Sequence, residues 1–279
     1  MTAGTGPKKV GTRLEQAIRG KLAGKSLLVM THAVVGYPSL DANWKMLEAM
    51  DAAGVDLVEL QLPFSEPIAD GPSFVKANQG AMNVGAGWDG YFDFMKRAAE
   101  TFRFSVLFMG YYNSVFKMGE TKFCERLATA AAKGFIVADL PPEEAGSLNR
   151  EARKRGLDPI LLMTPTNSPE RLAEIARQAS GFIYCVARKG VTGKHTDLSK
   201  GVEGFLARCR KVTDLPLALG FGIRTPEDVR ALQGRADIAI VGTACLESWE
   251  KEGEKGYREF LGGIVAATGK QPTKGGGRT

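Results

Sequence analysis

The sequence predicts a (β/α)₈ barrel, because short apolar runs recur along it, an amphipathic stretch follows each run, and glycine ends several of these stretches. The runs are nearly continuous in apolar residues, as is typical of parallel strands that are buried on both faces. Eight such units in roughly 250 residues match the size of one barrel domain. An open, doubly wound sheet is the main alternative, but no G-x-G-x-x-G pattern follows the first strand.

The elements alternate in order along the chain. We predict strands over eight segments, namely 27–33, 56–62, 104–109, 135–140, 158–163, 181–187, 215–220 and 236–242. Helices are predicted over nine segments, namely 12–23, 41–53, 88–102, 119–132, 142–156, 168–179, 200–212, 225–233 and 254–267. Four glycines stand where a helix is expected to end, namely Gly54, Gly134, Gly156 and Gly234. Thr225 and Pro226 suit the N-cap and the first turn of a helix.

One domain accounts for almost the whole chain. We expect a TIM barrel over 12–268, with an extra helix ahead of its first strand. Residues 1–11 and 269–279 are rich in glycine and lysine and are expected to be flexible tails.

The charge of the protein is concentrated in these tails. The net charge of the 279 residues is +6, of which residues 1–25 carry +5 and residues 269–279 carry +3, so the remainder carries −2. This distribution predicts no nucleic-acid or membrane partner. The sequence contains no apolar run long enough to span a bilayer and no signal-peptide core at its start, so a cytoplasmic location is expected.

Histidine and cysteine are too sparse for a metal centre of the usual kinds. The chain has two histidines and four widely spaced cysteines with no C-x-x-C motif, so we expect reduced, buried thiols and no metal. No lysine lies within a predicted strand, which argues against a Schiff-base aldolase, and no G-x-S-x-G motif is present. Of these mechanisms, metal-free general acid/base catalysis is the one that the residues leave open.

Two carboxylates stand where a barrel places its active site, at the carboxyl ends of strands. Glu59 lies within an apolar strand, where burial raises a carboxyl pKa and suits a group that both takes and gives a proton. Asp70 follows in a proline-rich loop that can return it to the strand end. A structural ion pair for Glu59 and a simple Asp-Gly turn for Asp70 remain alternatives.

Glycine-rich turns after the last two strands indicate a phosphate site. Gly220-Phe221-Gly222-Ile223 precedes the predicted helix 225–233, and Gly242-Thr243 follows the eighth predicted strand. Loops at these two places in a barrel often bind a phosphate through backbone N–H groups at a helix N-terminus. The alternative is that both segments are ordinary tight turns and bind no phosphate. The segment 188–193 is predicted to be a mobile lid with glycine hinges, or else a solvated loop.

The segment Glu59-Leu60-Gln61-Leu62-Pro63-Phe64-Ser65-Glu66-Pro67-Ile68-Ala69-Asp70-Gly71-Pro72 closely resembles the signature of the tryptophan synthase alpha chain family. Shorter motifs match in family order across about 12–267, namely Gly36-Tyr37-Pro38, Tyr111-Tyr112-Asn113, Ala138-Asp139-Leu140-Pro141, Arg188-Lys189-Gly190-Val191-Thr192-Gly193, Gly220-Phe221-Gly222-Ile223 and Val241-Gly242-Thr243-Ala244. The resemblance implies cleavage of indole-3-glycerol phosphate to indole and glyceraldehyde 3-phosphate.

The resemblance also implies a role for each site residue. Glu59 would move the proton between the glycerol C3′ hydroxyl and indole C3, Asp70 would engage the indole N–H, and Tyr184 would pack beside Glu59. The phosphate site would comprise Gly193, Phe221, Gly222, Ile223, Gly242 and Thr243. The indole pocket would comprise His32, Gln61, Tyr111 and Ile136, and the lid would carry Arg188 and Thr192.

The resemblance implies a beta-chain partner in an alpha2beta2 assembly, with pyridoxal phosphate on the beta chain and no cofactor in this one. A stand-alone lyase that releases free indole, and a weakly catalytic regulatory subunit, are the alternatives. Four residues depart from the family pattern, namely Gln61 for a glycine, His32 for an aromatic residue, Glu66 for an aspartate and Arg224 for a small residue. Gln61 is expected to bond Glu59 or to narrow the pocket.

Overall fold

The strands of the computed structural model, which describes residues 11–187, 200–220 and 222–269, are all parallel and form one sheet. Their bounds are β1 Leu28–Val34, β2 Leu57–Gln61, β3 Ser105–Gly110, β4 Gly134–Val137, β5 Asp158–Pro159, β6 Leu161–Met163, β7 Ile183–Val186, β8 Leu217–Gly220 and β9 Ile238–Val241. The helices are α1 Arg13–Leu22, α2 Leu40–Ala53, α3 Pro72–Val84, α4 Gly87–Thr101, α5 Tyr112–Met118, α6 Glu120–Thr129, α7 Gly146–Lys154, α8 Pro169–Gln178, α9 Lys200–Arg210, α10 Pro226–Leu232 and α11 Thr243–Ala266.

The sheet curls into a nearly closed barrel through the segment 158–163. The strand order is β5-β4-β3-β2-β1-β9-β8-β7-β6, so the two ends of the order are the two halves of this one segment. β5 pairs with β4 and β6 pairs with β7, while the N–H of Ile160 between them donates to the carbonyl of Phe135 at 3.0 Å. The prediction of a barrel is therefore confirmed, and the open doubly wound sheet is excluded.

Two apolar layers hold the barrel together. Side chains alternate along each strand, so in β2 Leu57 packs inside the barrel and Val58 packs between the sheet and the helices. Helix α1 confirms the predicted extra helix, and its Leu14 and Ile18 pack against the interior side chains at the amino end of the barrel. The cavity on the axis of the barrel is thus closed at that end.

The expectation for Gly134 is wrong. Gly54, Gly156 and Gly234 have positive φ angles of 85°, 70° and 75° where helices end, as predicted, but Gly134 is the first residue of β4. The left-handed position after α6 is taken by Ala131, with φ 57°. Glycine is needed at 134 for a different reason: there is no room for a side chain, because a Cβ there would lie 2.2 Å from the carbonyl oxygen of Asp158 on β5.

Helices α3 and α5 and the first half of α11 were not predicted. Phe74, Ala77, Asn78 and Ala81 of α3 are buried at helical spacing, so a periodic signal was present in the sequence. Helix α11 begins at Thr243, and the non-helical backbone of Gly253 (φ 65°, ψ −161°) divides it, so the prediction covered its second half alone.

The four cysteines are buried and free, as expected. In the part of the chain that the structure describes, no helix combines the length and the apolar character that crossing a bilayer requires.

Candidate active site

A cavity of about 210 Å³ lies at the carboxyl ends of the strands. Its walls come from the ends of most of the strands and from the loops that follow them. The residues of the candidate site that line it are His32, Glu59, Asp70, Ile136, Tyr184, Gly222, Ile223, Arg224, Gly242 and Thr243. Nine of these ten were predicted as site residues, and the tenth is Arg224. His32 and Arg224 are two of the departures from the family pattern.

Glu59 lies at the closed inner side of this cavity. Glu59 lies on β2, where it pairs with His32 of β1 on one side and Leu107 of β3 on the other, and it is 1% exposed. Its Oε1 atom is buried without a hydrogen-bond partner. Burial, and then the nearby carboxylate of Asp70, raise the pKa of Glu59 to about 8. The group can therefore hold or release a proton near neutral pH.

Asp70 reaches the same cavity from the loop after β2. Its N–H donates to the carbonyl of Pro67 at 2.9 Å, which forms the turn ahead of α3. Its Oδ2 accepts hydrogen bonds from Nε2 of Gln61 at 2.7 Å and from Nδ2 of Asn78 at 3.3 Å. The two carboxylates thus face one cavity. A hydrogen bond from Gln61 to Glu59 was one expectation, but the amide of Gln61 donates to Asp70.

His32 forms part of the wall as a neutral ring. Its ring stacks on Phe74 with centroids 4.3 Å apart, and its Nδ1 lies 3.8 Å from Oε2 of Glu59. Burial lowers the pKa of His32 and outweighs the opposing influence of the Asp70 carboxylate and the Gln61 amide. Since the pKa of Glu59 is raised, both groups are uncharged at neutral pH, and the contact between them is not an ion pair.

Tyr184 lies beside the glycine that ends β8. A Cβ on Gly220 would lie 3.1 Å from the Tyr184 ring, so glycine at this position leaves the ring in the cavity wall. Gln61 and Tyr111, both predicted for the indole pocket, are not among the residues that line the cavity. Tyr111 lies behind the loop instead: its ring stacks on Phe64 at 5.1 Å, and its hydroxyl accepts from the N–H of Ala69 at 3.2 Å.

The start of α11 opens onto the other side of the cavity. Gly242 is its N-cap and provides no side-chain hydrogen bond, so the first N–H groups of the helix have no side-chain acceptor there. Helix α10 differs, because Thr225 is its N-cap, as predicted, and forms a capping box with Asp228 that occupies N–H groups at the start of the helix. Since Gly242 and Thr243 line the cavity, α11 is the better anion site of the two.

Gly222 and Arg224 complete this side. Gly222 has φ 71°, a left-handed conformation that favours glycine. The guanidinium of Arg224 forms an ion pair with Glu247 of α11 at the cavity edge. Four predicted site residues lie outside the described residues, namely Arg188, Thr192, Gly193 and Phe221. Within 11–187, 200–220 and 222–269, no group of three His, Cys, Asp or Glu side chains could hold a metal ion.

Sequence reasoning missed Asn78. It is fully buried on α3, and it links Asp70 to the loop by accepting the N–H of Phe64 at 3.0 Å. The burial pattern of α3 could have indicated it, because Asn78 falls on the apolar face of that helix.

Comparison with known proteins gives one consistent result. The family model for the tryptophan synthase alpha chain matches residues 20–262. The tryptophan synthase alpha chain of Desulforapulum autotrophicum is 46% identical over 248 residues, which cover 89% of this chain and 98% of the relative. That of Syntrophotalea carbinolica is 47% identical over the same share of each chain.

Solved structures agree with these matches. A chain of Mycobacterium tuberculosis tryptophan synthase superposes with a TM-score of 0.86 at 28% identity, covering 93% of this chain and 99% of its own length. The tryptophan synthase alpha chain of Legionella pneumophila superposes with a TM-score of 0.81 at 26% identity, covering 93% of this chain and 98% of its own length.

Proposed function

The chain belongs to the tryptophan synthase alpha chain family, and from that premise we propose how its residues carry out the family's reaction. It is a lyase of tryptophan biosynthesis that cleaves indole-3-glycerol phosphate to indole and glyceraldehyde 3-phosphate. The observation that supports the proposed roles best is that Glu59 and Asp70 face one cavity with the uncapped start of α11.

Glu59 is the proposed acid and base. With a pKa of about 8 it is mostly protonated at neutral pH, so it first donates its proton to C3 of the indole ring. The resulting carboxylate then accepts the proton of the C3′ hydroxyl as the C3–C3′ bond breaks and the aldehyde forms. The bond electrons return to the ring and restore indole. One proton moves from oxygen to carbon, so Glu59 ends in its starting state.

Asp70 is the proposed partner of the indole N–H. Protonation at C3 places positive charge on the ring nitrogen, and a carboxylate that accepts its N–H stabilises that charge in the transition state. Tyr184 and Ile136 form the wall beside the ring, and His32 stacked on Phe74 forms the wall opposite.

The substrate phosphate is proposed to bind at the start of α11. The N–H groups of Gly242 and Thr243 and the positive end of the helix dipole supply the attraction, with Gly222 and Ile223 on the neighbouring loop. Arg224 adds a cation at the edge. We also propose that Phe221 and Gly193 belong to this site and that Arg188 and Thr192 act from a lid over it.

A beta chain that carries pyridoxal phosphate is the proposed partner in an alpha2beta2 complex, with no cofactor in this chain. Two large apolar side chains support a contact on the carboxyl face, Ile68 after β2, which is 79% exposed, and Phe116 of α5 after β3, which is 70% exposed. Phe116 also borders an open depression of about 410 Å³, together with Asp139 and Pro141. The expected location of this complex is the cytoplasm.

Steady-state kinetics test these assignments. The chain is assayed for cleavage alone and with a beta chain, beside Glu59→Gln and Asp70→Asn. We expect weak cleavage alone, strong cleavage in the complex, and loss of both in the variants. Full activity of the isolated chain would identify a stand-alone lyase, and wild-type turnover equal to that of Glu59→Gln would identify a regulatory subunit.

A further inference from the structure

We propose that Gln61 is a positioning residue that holds the Asp70 carboxylate in the orientation that receives the indole N–H. This inference rests on the proposed function of Asp70, and it assigns Gln61 a role other than lining the pocket.

The position of Gln61 gives its side chain little freedom. It is the last residue of β2, two residues after Glu59, so the two side chains project from the same face of the strand. Gln61 is fully buried, at 0% exposed. A side chain confined in this way loses little further entropy when it holds a partner, which makes it suitable for orienting a catalytic group.

The hydrogen bond to Asp70 fixes the orientation of both groups. Nε2 of Gln61 donates to Oδ2 of Asp70 at 2.7 Å, at the short end of the range for such bonds. Rotating the amide by 180° would place its oxygen against the carboxylate, so only one orientation is compatible with the contact. Asn78 donates to the same oxygen at 3.3 Å. Oδ2 is thus held from two sides, and the Tyr111 hydroxyl lies near the same carboxylate.

The arrangement has a cost that a purely structural glutamine would not explain. Oε1 of Gln61 is buried without a hydrogen-bond partner, although the amide lies close enough to His32 to raise the pKa of that ring, and an unsatisfied buried acceptor is unfavourable. An apolar side chain of similar size would avoid that cost. The presence of an amide at this position therefore points to a role for its N–H group, and the bond to Asp70 is the one that this N–H group makes.

Gln61→Met is the direct test, because methionine keeps the length of the side chain and cannot donate. Gln233→Met is a matched control: Nε2 of Gln233 also donates at 2.7 Å, to the carbonyl of Ala267 at the other end of the barrel. We expect Gln61→Met to lower kcat/KM for cleavage by about tenfold or more, since small displacements of a catalytic group are costly. Gln233→Met should leave it unchanged.

A double-mutant cycle shows whether Gln61 acts through Asp70. The ligand is a non-cleavable analogue in which a saturated three-carbon chain joins the indole ring to phosphate, and binding is measured by calorimetry. We expect Gln61→Met to weaken binding about tenfold in the wild-type background and less than twofold beside Asp70→Asn. Equal losses in both backgrounds, or wild-type behaviour of Gln61→Met, would overturn the inference.

Gln61→Glu provides a second route if Gln61→Met fails to fold. A carboxyl group at this position can donate a hydrogen bond to Asp70 only while it is protonated, so the loss of kcat/KM should be small at low pH and should grow as this group ionises. An unchanged pH profile would count against positioning. If Asp70→Asn alone leaves both binding and cleavage intact, the proposed function of Asp70 fails, and that result is separate from the outcome for Gln61.

Discussion

The Nδ1 atom of His32 and the Oε2 atom of Glu59 lie 3.8 Å apart on neighbouring strands, and both groups are uncharged at neutral pH. An ion pair here would hold Glu59 as a carboxylate and would lower its pKa. The buried, neutral imidazole does not, so Glu59 keeps a proton that it can donate. This relationship determines how the activity should depend on pH.

The first prediction concerns the alkaline side of the pH profile. Because Glu59 must start protonated and its pKa is about 8, kcat/KM should fall above about pH 8. Initial rates at low substrate concentration between pH 6 and 10 would measure this. A profile that rises through pH 8 would mean that the carboxylate is the starting form.

A second prediction separates chemistry from binding. Glu59→Gln removes the proton donor and keeps the size of the side chain, so kcat should fall by about a thousandfold. The affinity for the non-cleavable analogue should change less than about threefold. A large loss of affinity with a normal kcat would show that Glu59 binds the substrate and does not transfer the proton.

The same substitution should stabilise the protein at alkaline pH. The pKa of Glu59 is raised in the folded state from 4.5 to about 8, so its stabilising contribution is complete below pH 4.5 and is lost as the pH rises towards 8. Wild-type stability should therefore decline over this window, by on the order of 4 kcal/mol from this group. Urea unfolding of Glu59→Gln at pH 5 and pH 8 should lack the decline, whereas the exposed Glu227→Gln should retain it.

Opposite effects are expected from the two members of the Arg224–Glu247 ion pair. Arg224→Ser removes a cation from the phosphate side and should raise KM by about three- to tenfold. Glu247→Gln frees the guanidinium and should lower KM by about twofold, with both effects reduced in high salt. Arg230, which pairs with Glu227 on the surface of α10, provides a control. Arg230→Ser should change neither KM nor its dependence on salt.

Closure of the barrel depends on the absence of a side chain at Gly134. Alanine there would force β4 away from the carbonyl of Asp158, so we expect Gly134→Ala to lower the free energy of unfolding by about 2–3 kcal/mol. Gly262→Ala, in a helix with open space around the site, should raise it by about 0.5–1 kcal/mol. Equal unfolding midpoints for the two variants would contradict this account.

The barrel and the two carboxylates could be predicted from the sequence because each depends on local pattern. Apolar runs define the strands, and Glu59 is conspicuous as a charge within one of them. The split of the fifth strand at Ile160 could not be predicted, because it depends on which neighbours the two halves meet when the sheet closes.

The bond from Gln61 to Asp70 was also beyond the sequence. Period-two alternation places Gln61 beside Glu59, but the path of the loop that returns Asp70 to the strand end decides which carboxylate the amide reaches. Similarly, Gly242-Thr243 was predicted as an anion-binding turn, yet the start of α11 at Thr243 was missed because Gly253 interrupts the helix.

Leu14 and Ile18 pack across the amino end of the barrel and close the cavity at that end. We expect substrate to enter and both products to leave at the carboxyl ends of the strands, where the described residues form the cavity, on the face that carries Ile68 and Phe116. Any protein seated on that rim therefore controls the traffic of two molecules at once. We expect the onward route of indole to be set by whatever covers this end of the barrel when the carbon–carbon bond breaks, because the described residues pack across the opposite end.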